Sequence, residues 1–223
     1  ATLVLPFDEA MSQIPAEMFI QGLYVDLGRI HSICVGAHFA FGHQRQGNVE
    51  LLQRLGQEMN FIVHGLASIS LDDETVSSTR IRQAIETGQL DAAGQMLGRE
   101  YALTGEVIQG DQRGRELGYP TANLEVDGLC LPPNGVYAAH AQVGETTHRA
   151  AVNIGLRPTI ADAEPSLHVE AHLLDFEGDL YGQPLALTFV GKLRDETKFD
   201  SLDTLKNQIE KDLVSARYLF TQL

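Results

Sequence analysis

Between Gly110 and Leu124 the chain reads G-D-Q-R-G-R-E-L-G-Y-P-T-A-N-L, with two arginines set among three glycines. Glycine lets a backbone approach a ligand closely, and the guanidinium fork matches phosphate oxygens. Gly110, Arg113, Gly114, Arg115 and Gly118 are therefore read as a cradle for a polyphosphate such as that of ATP, with Pro120 stiffening the exit of the loop. Thr121 and Asn123 follow one residue apart, so in an extended segment their side chains share a face and offer neutral oxygens. Such ligands suit Mg²⁺, which keeps several waters and shares phosphate oxygens. An ordinary surface turn is the plain alternative, and the glycine and arginine spacing followed by P-T-A-N argues against it.

A second cluster runs from His168 to Gly182, H-V-E-A-H-L-L-D-F-E-G-D-L-Y-G. Strand alternation puts His168, Glu170 and His172 on one face and Val169 and Ala171 on the other. One reading is a metal site. The better one makes Glu170 a general base, because a primary alcohol needs a positioned proton acceptor to attack a phosphoryl group. No third softer ligand lies near, which favours hydrogen-bonded roles for the histidines over ligation. Phe176, Tyr181 and Phe199 read either as faces that stack a planar ligand or as core aromatics.

The elements that must position these residues fall into two textures. From Phe7 to about Leu97 helix-like and strand-like segments alternate, as in an α/β unit: helical pieces over Asp8–Leu23 interrupted at Pro15, a strand over Ile30–Gly36, an amphipathic helix over Asn48–Glu58 and a strand over Phe61–Ile69. The spacing predicts a β-α-β crossover. Ser77, Ser78 and Thr79 are N-cap candidates for a helix running toward Gly88, and a short helix follows over Leu90–Leu97. Ser78, Thr79 and Arg82, at that helix start, read either as phosphate ligands or as a bare cap. From Tyr101 the chain changes to short runs such as Y-A-L-T-G-E-V-I and G-V-Y-A-A-H-A-Q-V with turn residues between them, which predicts an antiparallel barrel or sandwich. Leu205, Ile209, Leu213, Ala216 and Leu219 mark a final amphipathic helix.

The whole chain has 223 residues, of which 43% are hydrophobic, enough for two modest cores. Thirty acidic residues against 16 basic ones give a net charge of −14, a field that repels nucleic acid. Cys34 and Cys130 have neither disulfide-framework nor zinc spacing, which fits a reducing compartment. The absence of a membrane-length apolar run and of a signal pattern predicts a cytoplasmic protein without membrane partners.

Taken in order, L-G-R-E-Y, R-G-R-E-L-G-Y-P-T-A-N-L, L-P-P-N-G-V-Y-A, N-I-G-L-R-P-T, V-E-A-H-L-L-D-F, D-L-Y-G and L-R-D-E-T-K-F span Leu97–Leu223 and resemble the riboflavin kinase module of the bacterial bifunctional riboflavin kinase/FAD synthetase family. The first half, through F-D-E-A-M-S-Q-I-P-A-E-M-F-I, I-C-V-G-A-H-F-A-F-G-H-Q-R-Q-G-N and V-S-S-T-R-I-R, resembles that family's FMN adenylyltransferase module. The resemblance implies an α/β plus all-β chain: a partial Rossmann-like nucleotidyltransferase domain over residues 1–98, N-terminally incomplete, then a six-stranded antiparallel barrel with a C-terminal helix over 99–223. It implies Mg²⁺ as cofactor, Thr121 and Asn123 at the Mg²⁺·ATP, Glu170 as base, and Asn153–Thr159 (with Arg157) and Arg194–Phe199 in loops closing over nucleotide and flavin. Riboflavin and ATP would be the substrates and FMN the product.

Two departures bear on the first half. The family's G-x-F-D-G-x-H-x-G-H segment is not found, since Phe7-Asp8 has neither the glycine before it nor the histidines after it, and His38 stands where the family pattern has Asp. The expectation is a chain that makes FMN and little FAD. The alternatives are a complete two-step enzyme making FAD, of which this sequence lacks the start, and a non-catalytic flavin- or nucleotide-binding module. A binder needs neither a base nor a metal-facing pair, so Glu170 with Thr121 and Asn123 argues against the last.

Overall fold

The computed structural model of the chain describes residues 2–110, 112–157 and 166–222. By packing, it divides into Ala1–Val76 and Ser77–Leu223.

In the first unit, Asp8 caps a single turn, α1 (Glu9–Ser12), by accepting from Met11 N, and Pro15 precedes α2 (Ala16–Leu27). Strand β1 (Ser32–Gly36) leads to α3 (Val49–Met59), whose N-cap Asn48 accepts from Leu51 N at 2.9 Å and whose end turns at left-handed Asn60. The chain returns as β2 (Ile62–Leu66), parallel to β1 from Ser32↔Ile62 to Gly36↔Leu66, which is the expected crossover. Leu52, Leu55 and Phe61 bury with Ala16, Ile20 and Phe41 beneath it. A parallel pair is normally covered on both faces, yet Ile62 and Leu66 are more than half exposed. A small hairpin, β3 (Ser70–Leu71) and β4 (Glu74–Thr75), turns at Asp72 and Asp73, both with positive φ.

The second unit opens with α4 (Ser78–Glu86), capped by Ser77, and α5 (Leu90–Leu97), which ends at left-handed Gly98. Ala84, Ile85 and Ala93 pack these helices together with Tyr101 and Cys130, so the packing division falls at Val76, ahead of the boundary read near Gly98. Then come β5 (Ala102–Ile108), a helical turn α6 (Arg113–Glu116), β6 (Ala122–Leu124), β7 (Gly135–Val143), β8 (Thr146–Arg157), β9 (Ser166–Leu173), β10 (Pro184–Arg194) and α7 (Leu202–Leu219). The six strands β5 to β10 close into a barrel in the order β10-β5-β6-β9-β8-β7, every pair antiparallel. Closure leaves no free edge. Alternate residues point inward, among them Leu103, Leu124, Val152, Ile154, Val169 and Leu187, and form one apolar core.

Helix α7 starts with a capping box between Ser201 and Thr204 and packs Ala216 and Phe220 on the outside of the barrel against Ala138 and Ala151. Its Asp212, the one buried charged residue among those described, takes a bidentate grip from Arg194 at the end of β10: Nε at 2.9 and 3.0 Å and Nη2 at 2.8 Å. Gln208 Nε2 donates to the same carboxylate at 2.9 Å. Removing one partner of such a pair strands the other, so Asp212→Ala is expected to lower stability in urea unfolding by about 3 kcal/mol, and a change below the error of the fit would show that the clamp is inert.

Two tyrosines make the fold sensitive to alkali. Burial, helped by the neighbouring Cys130 thiol, pushes Tyr101 up to about 12, and burial with the Asp195 carboxylate does the same for Tyr137. Each phenol donates to a backbone carbonyl, Tyr101 to Cys130 and Tyr137 to Pro133. The fold thus holds these protons more tightly than the unfolded chain, where tyrosine titrates near 10. Their stabilisation is complete below pH 10 and lost as pH rises toward 12. The urea midpoint should fall across that window, and Tyr137→Phe should make the fall shallower; an identical fall in the variant would exclude Tyr137 as a source.

Candidate active site on the outer face of the barrel

Strand β9 lies between β6 and β8, and its register decides which side chains meet. Asn123 on β6 and Asn153 on β8 are both Cα partners of Glu170. The rows on either side, Ala122–Ala171–Val152 and Leu124–Val169–Ile154, point into the core with exposures of 7% or less. The row Asn123–Glu170–Asn153 therefore stands abreast on the opposite, outward face, with neighbouring side chains about 5 Å apart at Cβ. Glu170 keeps about a third of its side chain exposed, 34%. Two neutral amides flanking one carboxylate can orient it and its ligand without neutralising it.

The arginine- and glycine-rich segment folds beside this row. Its expected loop contains the helical turn α6, closed by backbone bonds from Arg115 N to Gln112 O and from Tyr119 N to Gly114 O, with Gly118 at φ 89° between them. Two glycines are fixed by their neighbours. The Asn123 amide occupies the place of a Cβ at Gly110, and a Cβ at Gly114 would meet the Tyr119 carbonyl at 2.5 Å and Thr121 Oγ1 at 3.2 Å. The loop thus lies directly on the two residues read as oxygen ligands. Pro120 is held from behind: its carbonyl is 2.8 Å from His172 Nδ1, and since a carbonyl only accepts, that nitrogen carries the proton. Tyr119 meets the His172 ring edge-on and donates to Glu210 of α7 at 3.0 Å; partial burial and that bond push its phenol up.

A cleft of about 480 Å³ adjoins the loop. Gln112, Arg115, Pro120 and Thr121 line one side, and Val107, Ala171, Leu173 and Phe176 supply apolar wall. Arg115 and Thr121 are thereby brought to one cavity, which Glu177 and Asp179 also line and whose Ala171 wall belongs to the face of β9 opposite to Glu170. The side chain of Arg113 lies outside the described part of the structure.

On the far side of the row the structure departs from the loops implied for Asn153–Thr159. Asn153–Arg157 continue β8 as regular strand, paired with β9 as far as Arg157↔Ser166. The Arg157 side chain, together with Pro158 and Thr159, lies outside the described residues. Arg194 is committed to Asp212 and, through Nη1, to the Asp195 carbonyl at 2.9 Å, while its guanidinium covers the Phe199 ring at 5.7 Å. These contacts tie it to the 195–199 segment and engage three of its five N–H donors. Phe176 packs against the barrel core and meets His148 edge-on, whereas Tyr181 is 46% exposed at the cleft.

That segment delivers a residue the sequence did not single out. The Glu196 carboxylate fills the space above Gly155, where a Cβ would sit, and Asn134 Nδ2 donates to it at 3.2 Å. Gly155 is the Cα partner of His168, so Glu196 lies one step from the central row. The glycine in N-I-G-L was the available sequence signal, and the identity of its partner needed the fold. Ser78, Thr79 and Arg82 are exposed on α4, an element separate from the strands that carry the row.

Among the described residues no group of three His, Cys, Asp or Glu is placed to hold a metal, and both cysteines are free. The oxygens at Thr121 and Asn123 are neutral and few, a donor set that fits a hard cation completed by phosphate and water and does not fit a soft one.

Comparisons with known proteins agree on both halves. Residues 97–220 match the sequence profile of the family described as Riboflavin kinase, and residues 1–80 that described as FAD synthetase. The bifunctional riboflavin kinase/FMN adenylyltransferase of Pseudomonas fluorescens is 37% identical over 217 residues, 97% of this chain and 70% of the relative. The Haemophilus influenzae protein of the same description is 39% identical over 220 residues, 98% and 70% of the two chains. A solved Streptococcus pneumoniae chain, described as a macrolide-efflux protein, superposes with a TM-score of 0.72 at 31% identity, covering 95% of this chain and 67% of its own. With a closed six-stranded barrel, a C-terminal helix and both profiles in sequence order, the chain belongs to the family of bifunctional riboflavin kinase/FMN adenylyltransferases.

Proposed function

We propose that this chain transfers the γ-phosphoryl group of ATP to the 5′-hydroxyl of riboflavin, with Glu170 as the general base. The observation that carries the assignment of roles is the row Asn123–Glu170–Asn153, set beside a glycine-backed loop and an arginine-lined cleft. Residues 99–223 form the kinase domain in this reading, and residues 1–98 the adenylyltransferase-like one.

Riboflavin kinases depend on ATP and a divalent cation. Mg²⁺ would be the cation, Thr121 and Asn123 would hold it, and it would offset negative charge on the transferring group. The triphosphate lies along Gly110–Gly118 with Arg115 alongside, and its base takes the apolar wall of the cleft. The flavin approaches from the Asn153 side. Glu170 accepts the proton of the primary hydroxyl as the new O–P bond forms, and the bond from the γ-phosphorus to the bridging oxygen breaks to release ADP. Asn123 and Asn153 hold the carboxylate in line. Arg194 acts through Asp212 by holding the 195–199 segment in place. His172 and Glu210 fix Tyr119 and Pro120, and through them Thr121.

Adenylyl transfer from a second ATP to FMN, giving FAD, is the alternative reading, set against the expectation of little FAD from a first half in which the G-x-F-D-G-x-H-x-G-H segment is not found. Its support is the match of residues 1–80 to the FAD synthetase profile, with Ser78 and Thr79 in the first turn of α4.

The test is to incubate the purified chain with riboflavin and Mg²⁺·ATP and to separate riboflavin, FMN and FAD by chromatography. FMN should appear in step with ADP. Glu170→Gln should lower kcat by about 10²–10⁴ while ATP affinity holds; near-normal turnover would remove Glu170 from the role of base. Thr121→Ala and Asn123→Ala should each weaken Mg²⁺·ATP binding in titration calorimetry and slow turnover, with little change in melting temperature. Unchanged affinity and rate in both variants would overturn the metal-facing assignment.

A further inference from the structure

We infer that His168 is a positioning residue for phosphoryl transfer: it restrains one oxygen of Glu170 so that the other is left to take the substrate proton. This rests on the assignment of Glu170 as base and extends it to His168, which the sequence places on the same face without a catalytic role.

His168 stands two residues before Glu170 on the same outward face of β9. Its Nε2 lies 3.9 Å from Glu170 Oε1. That is too long for a hydrogen bond and short enough for the ring N–H to attract the carboxylate. The other nitrogen decides the tautomer. His168 Nδ1 is buried and has no partner, and the side chain as a whole is 23% exposed. A buried N–H without an acceptor is a rarer and costlier arrangement than a lone pair without a donor. The proton therefore belongs on Nε2, directed at Glu170.

Gly155 is the Cα partner of His168, and the Glu196 carboxylate, tied to Asn134, occupies the space over Gly155. Glu196, on the segment after β10, thus lies one cross-strand step from His168. A flexible glutamate loses rotamers when one oxygen is attracted to a fixed donor, and that restraint acts on the orientation of the base without touching either substrate.

The chemistry predicts a split between kcat and KM. His168→Leu, which keeps bulk and removes the donor, should lower kcat by about tenfold to a hundredfold and leave KM for ATP and riboflavin within about twofold. His168→Gln, whose amide reaches to the same distance, should recover most of kcat. His168→Asn, whose amide is too short, should not, and this Gln–Asn comparison carries the test if the leucine variant loses its circular dichroism spectrum. In a Glu170→Gln background, His168→Leu should add nothing further. A wild-type kcat in His168→Leu, a loss shared equally by Gln and Asn, or a loss confined to KM would overturn the inference. Glu170→Gln measured in parallel separates the two failures: if it is inactive while His168→Leu turns over normally, only the role of His168 falls, and if it turns over normally, the base assignment falls and the role of His168 with it.

Discussion

Pairing of β9 along both of its edges is the constraint on which the rest of the second unit depends. With β6 on one side and β8 on the other, a one-residue slip on either edge would move Val169, Ala171 and Leu173 out of the core and push Glu170 into it. Burying a carboxylate there without a partner would cost far more than any single contact on the outer face returns. The apolar interior therefore holds the register, and the register sets Asn123, Glu170 and Asn153 abreast. Barrel closure makes this robust, since neither neighbour of β9 is an edge strand.

Loops complete what the strands begin, and they are held by contacts that are mostly polar and remote. The P-T-A-N approach is pinned from β9 by His172 and from α7 by Glu210, while the 195–199 segment is pinned by Arg194 on Asp212. Gly110, Gly114 and Gly155 lack side chains where Asn123, Thr121 with the Tyr119 carbonyl, and Glu196 respectively need the room. At each of these places a functional group and a backbone occupy adjoining space, which leaves the loop little freedom to settle elsewhere.

What could be read from the sequence follows from periodicity. The face shared by His168, Glu170 and His172 came from strand alternation, the β-α-β unit from the apolar pattern of α3 between two short strands, and the final helix from its 3.6-residue repeat. The extent of β8 was not legible, because N-I-G-L-R-P-T carries glycine and proline as turn signals while its first five residues pair fully with β9. The engagement of Arg194 was missed for a different reason. Its partner lies 18 residues on, in a helix whose orientation only the barrel defines. Glu196 likewise became meaningful only through cross-strand register, which single-sequence reasoning does not supply, whereas the buried Nδ1 of His168 needed the packed structure.

Glu210 and Asp212 are two residues apart on α7, and each anchors a different flank of the candidate site. One helix docked on the barrel wall thus serves as a common hinge-post for the segment before β6 and the segment after β10. Local opening of α7 would release both flanks at once while the barrel stayed intact, so the site can be dismantled at a smaller free-energy cost than global unfolding. Folding competence and catalytic competence are then separate properties of this domain, and the second is held by a helix that lies outside the barrel.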